Sequence, residues 1–147
     1  IKLNPNCKLT LILMQVNDME DYMKNEGSGF VQDLLQSVQD TVRRHVGHRG
    51  IVCPLQPNLM SVVVQDINSD IKLRAFIESL RSRIAWNYRL IDPKYEISFS
   101  FGVACYPENG MDMRIVHRKL VKALQMAQEK HANCYVIYKE HLHGELS

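Results

Sequence analysis

Five basic side chains, Arg43, Arg44, His45, His48 and Arg49, crowd into one short stretch of the chain. Such a cluster suits an anion, an RNA backbone or an acidic protein surface. It equally suits the C-terminal end of a helix, where partial negative charge favours cations, and that plainer reading comes first. Arg114, Arg118 and Lys122 recur every four residues, with Lys119 beside them. They form one helical stripe that either meets nucleic acid or faces solvent, opposite the apolar stripe Val116, Leu120, Leu124 and Ala127. The pairs His45/His48 and His141/His143 have the spacing of metal ligands, but neither has an acid or cysteine partner, so no metal site is expected. Asp18, Glu20 and Asp21 read as a solvated acidic turn, with replacement metal ligation as the alternative. Trp86 and Tyr88 read as packing at the core edge, with stacking on a base or partner as the alternative. One more place is suited to chemistry. The polar centre Gln56-Pro57-Asn58 lies between two apolar runs and is followed by Leu59 and Met60. That is the pattern of a hairpin tip, exposed and rigidly held, yet it carries no acid, base or nucleophile.

The elements that must position these residues follow from pattern. Leu9–Val16 is an apolar run of strand length bounded by polar residues, hence a buried strand. Residues 18–26 read as a short acidic helical turn ending at Gly27-Ser28-Gly29. From Phe30 to Val46 apolar residues recur at helical spacing. Hairpin strands are expected at about 50–55 and 60–65, with residues Asn68-Ser69-Asp70 capping the next helix. That helix buries Ile71, Leu73, Phe76, Ile77, Leu80 and Ile84, and Asp92-Pro93 breaks the chain after it. Tyr95 to Ala104 alternates as a strand, Pro107-Glu108-Asn109-Gly110 is a turn, 111–131 is a helix and Cys134–Tyr138 a last strand. The order β-α-α-β-β-α-β-α-β predicts an α+β fold: a mixed, largely antiparallel sheet flanked by helices, of the ferredoxin-like or nucleotide-cyclase-like type.

The chain of 147 residues is long enough for one domain with a core, and its 46% hydrophobic and 23% charged residues are ordinary for a globular protein. A formal charge of +2 is too small to make nucleic acid the main partner. No apolar run is long enough to span a membrane, so this segment is expected to make no membrane contact; the expected location is the cytoplasm, with a membrane anchor elsewhere in the full-length protein left open. A chain opening on Ile1 reads as one domain, 1–147, excised from a larger protein. Cys7, Cys53, Cys105 and Cys134 form no CxxC pair and read as free buried thiols.

The segment ISFSFGVACYPENG, residues 97–110, followed by KALQMAQEKHANCYVIY, residues 122–138, resembles the GGDEF domain of diguanylate cyclases. Ser100, Gly102, Val103, Ala104, Tyr106, Pro107, Gly110, Ala123, Leu124, Ala127 and Asn133 match that family's pattern. The likeness is specific over 97–138 and is one of pattern alone before that. The resemblance implies the cyclase-like fold, in which two GTP molecules are joined to cyclic di-GMP with carboxylate-held metal ions. The matched residues, however, are turn formers and packing residues. Laid on the family's motif, Gln56, Pro57, Asn58, Leu59 and Met60 stand where the Gly-Gly-Asp/Glu-Glu-Phe hairpin would be. Pro57 also removes a backbone donor, and neither Asn58 nor Leu59 supplies an anion. Gln15-Val16-Asn17 stands where the first strand should end in a metal-binding Asp. The guanine-reading positions fall on Met23 and Gln32, the phosphate-binding ones on Gln128 and Ala132, and the inhibitory Arg-x-x-Asp on Gly47-His48-Arg49-Gly50.

The resemblance therefore implies a degenerate, catalytically inactive GGDEF domain in bacterial cyclic di-GMP signalling. No catalytic residue, metal or cofactor is expected. Its partner would be another protein or an adjacent domain, for example of EAL type, with a homodimer also open and nucleotide binding doubtful. The hairpin, with apolar Leu59 and Met60 near its tip, is the expected contact surface, and Arg43, Arg44, His48 and Arg49 are a second patch for an anion or a partner. Two alternatives stay open: a receptor that binds GTP or cyclic di-GMP without turnover, and a protein or RNA scaffold.

Overall fold

The strand Leu9–Val16 (β1) sends alternate side chains to opposite faces, and both faces are buried. Ile12, Met14 and Val16 join one apolar cluster, while Leu11 and Leu13 join another. A strand buried on both faces must be central and must be sandwiched by helices. In the computed structural model, which describes residues 8–65, 67, 69–89, 98–130 and 134–140, it is. The sheet order is β2-β3-β1-β4-β5, with β2 Gly50–Gln56, β3 Leu59–Gln65, β4 Phe99–Tyr106 and β5 Cys134–Ile137. β1 pairs antiparallel with β3 and with β4, as β2 does with β3, and among the described strands β4–β5 is the parallel pair.

Helices α1 (Met19–Glu26), α2 (Ser28–Val46) and α3 (Asp70–Arg89) follow the order expected from the sequence, and α4 (Met113–Lys130) lies between β4 and β5. Val31, Leu34, Val38, Val42 and Val46 of α2 and Leu73, Phe76, Ile77, Leu80 and Ile84 of α3 cover one face of the sheet. Val116, Leu120, Ala123, Leu124 and Ala127 of α4 cover the other, over Ala104, Tyr106 and Val136. Ser69 caps α3, its Oγ accepting from the Lys72 N–H at 3.2 Å. Arg49 closes α2 by donating to the His45 carbonyl at 2.7 Å.

Two positions set how close the layers come. A Cβ on Gly102 would lie 2.3 Å from the Leu124 nitrogen, so glycine lets α4 press directly onto β4. Asp18 has φ 63°, a left-handed turn that aspartate tolerates better than most residues and that sends the chain from β1 straight into α1.

Several expectations need correction. Cys53 is exposed and Cys105 and Cys134 are half-buried, all three free, so the thiols are not all core residues. Trp86 is 65% exposed and does not close the core edge. The start of the expected strand at 95–97, Asp92-Pro93, Cys7, Asn68, Ala132, Asn133, His141 and His143 lie outside the described residues, as does the side chain of Tyr88. No described helix is long and apolar enough to cross a membrane.

Candidate functional site

The register of the three central strands assembles the site. Gln15, near the end of β1, sits opposite Leu59 on one side and Ser100 on the other. This brings the hairpin tip, the end of β1 and the start of β4 together. Pro57 and Asn58 form a two-residue turn between Gln56 and Leu59, which pair with each other. Asn58 is not among the residues with positive φ, so the turn is not of the primed types whose twist suits a two-residue hairpin. A shift of register between Pro54 and Gln56 leaves Leu55 as an extra residue and absorbs the mismatch.

Asn58 ties this tip to β1 twice. The Val16 N–H donates to its carbonyl at 2.9 Å, and its side-chain Nδ2 donates to the Val16 carbonyl at 3.2 Å. One residue on, Asn17 Nδ2 donates to Ser98 Oγ and Ser100 Oγ, each at 3.0 Å, with Ser100 itself buried. Across the mouth, Gln128 of α4 donates to Gln15 Oε1 at 2.5 Å. Gln15, Asn17, Asn58 and Gln128 thus line one polar cavity of about 550 Å³ with Ser100. Asp18, Glu20 and Asp21 line it too, because the left-handed turn at Asp18 folds α1 over its edge. The solvated acidic turn expected from the sequence is therefore part of the cavity wall. No lysine, arginine or histidine is among its described lining residues. Among the described residues no group of acids, histidines and cysteines converges as a metal site.

The network has a clear chemical sense. A carboxylate at position 58 would set two acceptors, its own oxygen and the Val16 carbonyl, against each other. Such a pair needs a cation between them. Asparagine brings its own proton and makes the contact directly. The Gln15–Gln128 pair likewise joins β1 to α4 with neutral amides. Hydrogen bonds among its own residues tie the walls of this open cavity together, and its described lining carries dipoles and carboxylates.

The other expected sites are placed as follows. Met60 is 1% exposed and packs in the core beside Met14, so it is no contact surface; Leu59 is half-buried against the α4 side. The exposed apolar residues of the hairpin are instead Ile51 and Leu55, on the edge strand β2, which pattern alone could not separate from the paired strand. Gln56 and Pro57 are exposed. Arg43 and Arg44 are exposed on the last turn of α2, and His48 follows on the 3₁₀ turn 47–49. Arg49 also lies over the Phe76 ring at 4.9 Å. The patch does not converge on one cavity: of its members only Arg49 lines the hollow of about 340 Å³ beside Phe76 and Lys72. His45 is buried, its ring 4.7 Å from that of Phe76 and its Nε2 3.3 Å from the Phe76 carbonyl. Burial, with Arg83 and Arg49 nearby, lowers its pKa below the usual 6.5, the Phe76 contact opposing this; it is a packed histidine. Met23 and Gln32 are exposed and do not line the polar cavity.

Comparison with known proteins agrees with this architecture. The family model described as diguanylate cyclase, GGDEF domain, matches residues 2–134. The active GGEEF domain of a diguanylate cyclase from Vibrio cholerae superposes with a TM-score of 0.78 at 15% identity, over 90% of this chain and 83% of that one. An EAL/GGDEF domain protein from M. capsulatus gives 0.74 at 15% identity, over 95% and 90% of the two chains. An uncharacterized protein of Synechocystis is 17% identical over 142 residues, 97% of this chain. The chain spans about a fifth of the length of that curated relative, 20%.

Proposed function

The chain belongs to the GGDEF domain family of diguanylate cyclases, and on that premise we propose that it is a non-catalytic, regulatory member acting in the cytoplasm through protein or domain contacts. The observation that carries this reading is the polar cavity. It lies where the hairpin, the end of β1 and α4 meet, and amide bonds from Asn58, Asn17 and Gln128 hold it together. Joining two nucleoside triphosphates requires positive charge on the phosphates, from metal ions or from lysine and arginine. The described lining has no lysine, arginine or histidine, and its carboxylates Asp18, Glu20 and Asp21 do not converge as a metal site, so toward phosphate they add repulsion. The position read as a metal ligand, Asn58, has its side-chain N–H on Val16.

A module without turnover still carries information if a partner binds two of its states unequally. An adjacent EAL-type domain is the natural partner, since the similar M. capsulatus protein combines EAL and GGDEF domains. Titration calorimetry with GTP plus Mg²⁺, and separately with cyclic di-GMP, tests the reading alongside an assay for cyclic di-GMP formation. No heat and no product is the expected result. Micromolar binding of either nucleotide without product would replace it with a receptor, and product would overturn it altogether.

A further inference from the structure

The outer face of α4 carries a second concave surface that shares no lining residue with the polar cavity. It is a groove of about 820 Å³ between α4 and the end of β5. Arg114, Arg118 and Lys122 line it at successive turns. At 1.5 Å per residue they span about 12 Å. Local pairs hold the two neighbouring cations in place. Arg114 is paired with Asp112 at 3.1 Å, and its hydrogen bonds bring that carboxyl down to about 2. Lys119 is paired with Glu140 and lies over the Tyr138 ring at 5.5 Å. Arg118 is exposed and belongs to none of the ion pairs among the described residues. Between the cations lie apolar Ile115, 41% exposed, and half-buried Val121, with His117, Gln125 and Tyr138 beside them; the one lining carboxylate, Glu140, is taken up by Lys119.

We propose that this groove docks an acidic amphipathic helical segment of a partner protein. The occupant follows from charge and shape. A small anion does not reach from Arg114 to Lys122. A nucleic-acid backbone would meet the cations but leave Ile115 and Val121 in water. A helix with carboxylates at i, i+4 and i+8 has the same rise as α4, and an adjoining leucine stripe covers Ile115 and Val121. The inference deepens the interaction half of the proposed function and does not depend on its catalytic half. Peptide binding reports on the first and the cyclase assay on the second.

The test is fluorescence anisotropy of the 147-residue chain with a labelled helical peptide. The peptide bears Glu at three positions spaced by four and Leu on the adjoining stripe. Saturable binding is expected, weakened about tenfold by Arg118→Glu with Lys122→Glu and lowered by Leu→Ser in the peptide. Arg43→Glu with Arg44→Glu makes the same change of charge on the exposed end of α2 and should leave affinity unchanged. Absence of binding, or an equal loss in that α2 pair, would overturn the proposal. So would tighter binding of a single-stranded RNA that the same α4 substitutions abolish, which would assign the groove to nucleic acid.

Discussion

If Asn58 stands where a cation would otherwise mediate, replacing it by aspartate should cost stability in a way that metal can reverse. In the native chain the Asn58 amide donates to the Val16 carbonyl at 3.2 Å, in a half-buried place. Asn58→Asp removes that donor and sets a carboxylate against the carbonyl oxygen, with Asp18, Glu20 and Asp21 around the same cavity. A lost hydrogen bond that leaves a partly buried acceptor unpaired costs about 1–3 kcal/mol, so about 2 kcal/mol is expected, or about 5–8 °C in Tm. Asn58→Ala loses the bond without adding charge and should cost about 1 kcal/mol. Thermal melts in EDTA should rank native above Asn58→Ala above Asn58→Asp. Millimolar Mg²⁺ should then raise the Tm of Asn58→Asp alone, because binding to the folded state alone stabilises it. Equal melting of the alanine and aspartate variants, or no Mg²⁺ response specific to aspartate, would refute the reasoning.

Three more outcomes follow from the same geometry. Gly102→Ala should lose about 1–3 kcal/mol in urea unfolding, because its Cβ would sit 2.3 Å from the Leu124 nitrogen and push α4 away. Met60→Ala should lose about 2–5 kcal/mol, whereas Leu55→Ser, at a 50% exposed position, should stay within about 0.5 kcal/mol; paired unfolding curves check both. His45 has a folded pKa below its unfolded value of 6.5, so as pH falls through 6.5 the unfolded chain takes up the proton first and the fold loses stability, levelling off below the folded pKa. His45→Gln should flatten that loss between about pH 7 and pH 5, read from urea midpoints across the range.

Much of the fold was legible because its signals are local and periodic. The alternation along Leu9–Val16 and the helical spacing of Val31, Leu34, Val38 and Val42 each match one buried face. The Ser69 cap was readable from its own side chain and the turn 107–110 from Pro107 and Gly110; in the structure Ser69 Oγ accepts from the Lys72 N–H and Asn109 Oδ1 from the Cys105 N–H at 2.7 Å. What the sequence did not reveal depends on which strand is an edge. Ile51-Val52-Cys53 and Met60–Val64 read alike, yet β2 has a neighbour on one side only and leaves Ile51 71% exposed, while β3 is flanked on both sides and buries Met60. The acids after β1 are solvated, as read from the sequence, but their place on the cavity rim was not legible. Period-two reasoning points Asp18 away from Asn17, but the left-handed backbone at Asp18 breaks that period, and all three acids line the cavity with Asn17.

The residues of the hairpin pocket are better understood as a set than one by one. A strand end, a hairpin tip and a helix that meet around charged ligands would repel or separate without those ligands, since unlike charges and metal bonds would no longer hold them. Here each junction has its own neutral bond: Asn58 to Val16 for tip and strand, Asn17 to Ser98 and Ser100 for strand and strand, Gln128 to Gln15 for helix and strand. Amides suit the task because each carries both a donor and an acceptor and costs far less to half-bury than a charge does. Neutral bonds of this kind let the walls hold together by themselves, which the proposed non-catalytic role, with contacts made along the α4 groove, requires.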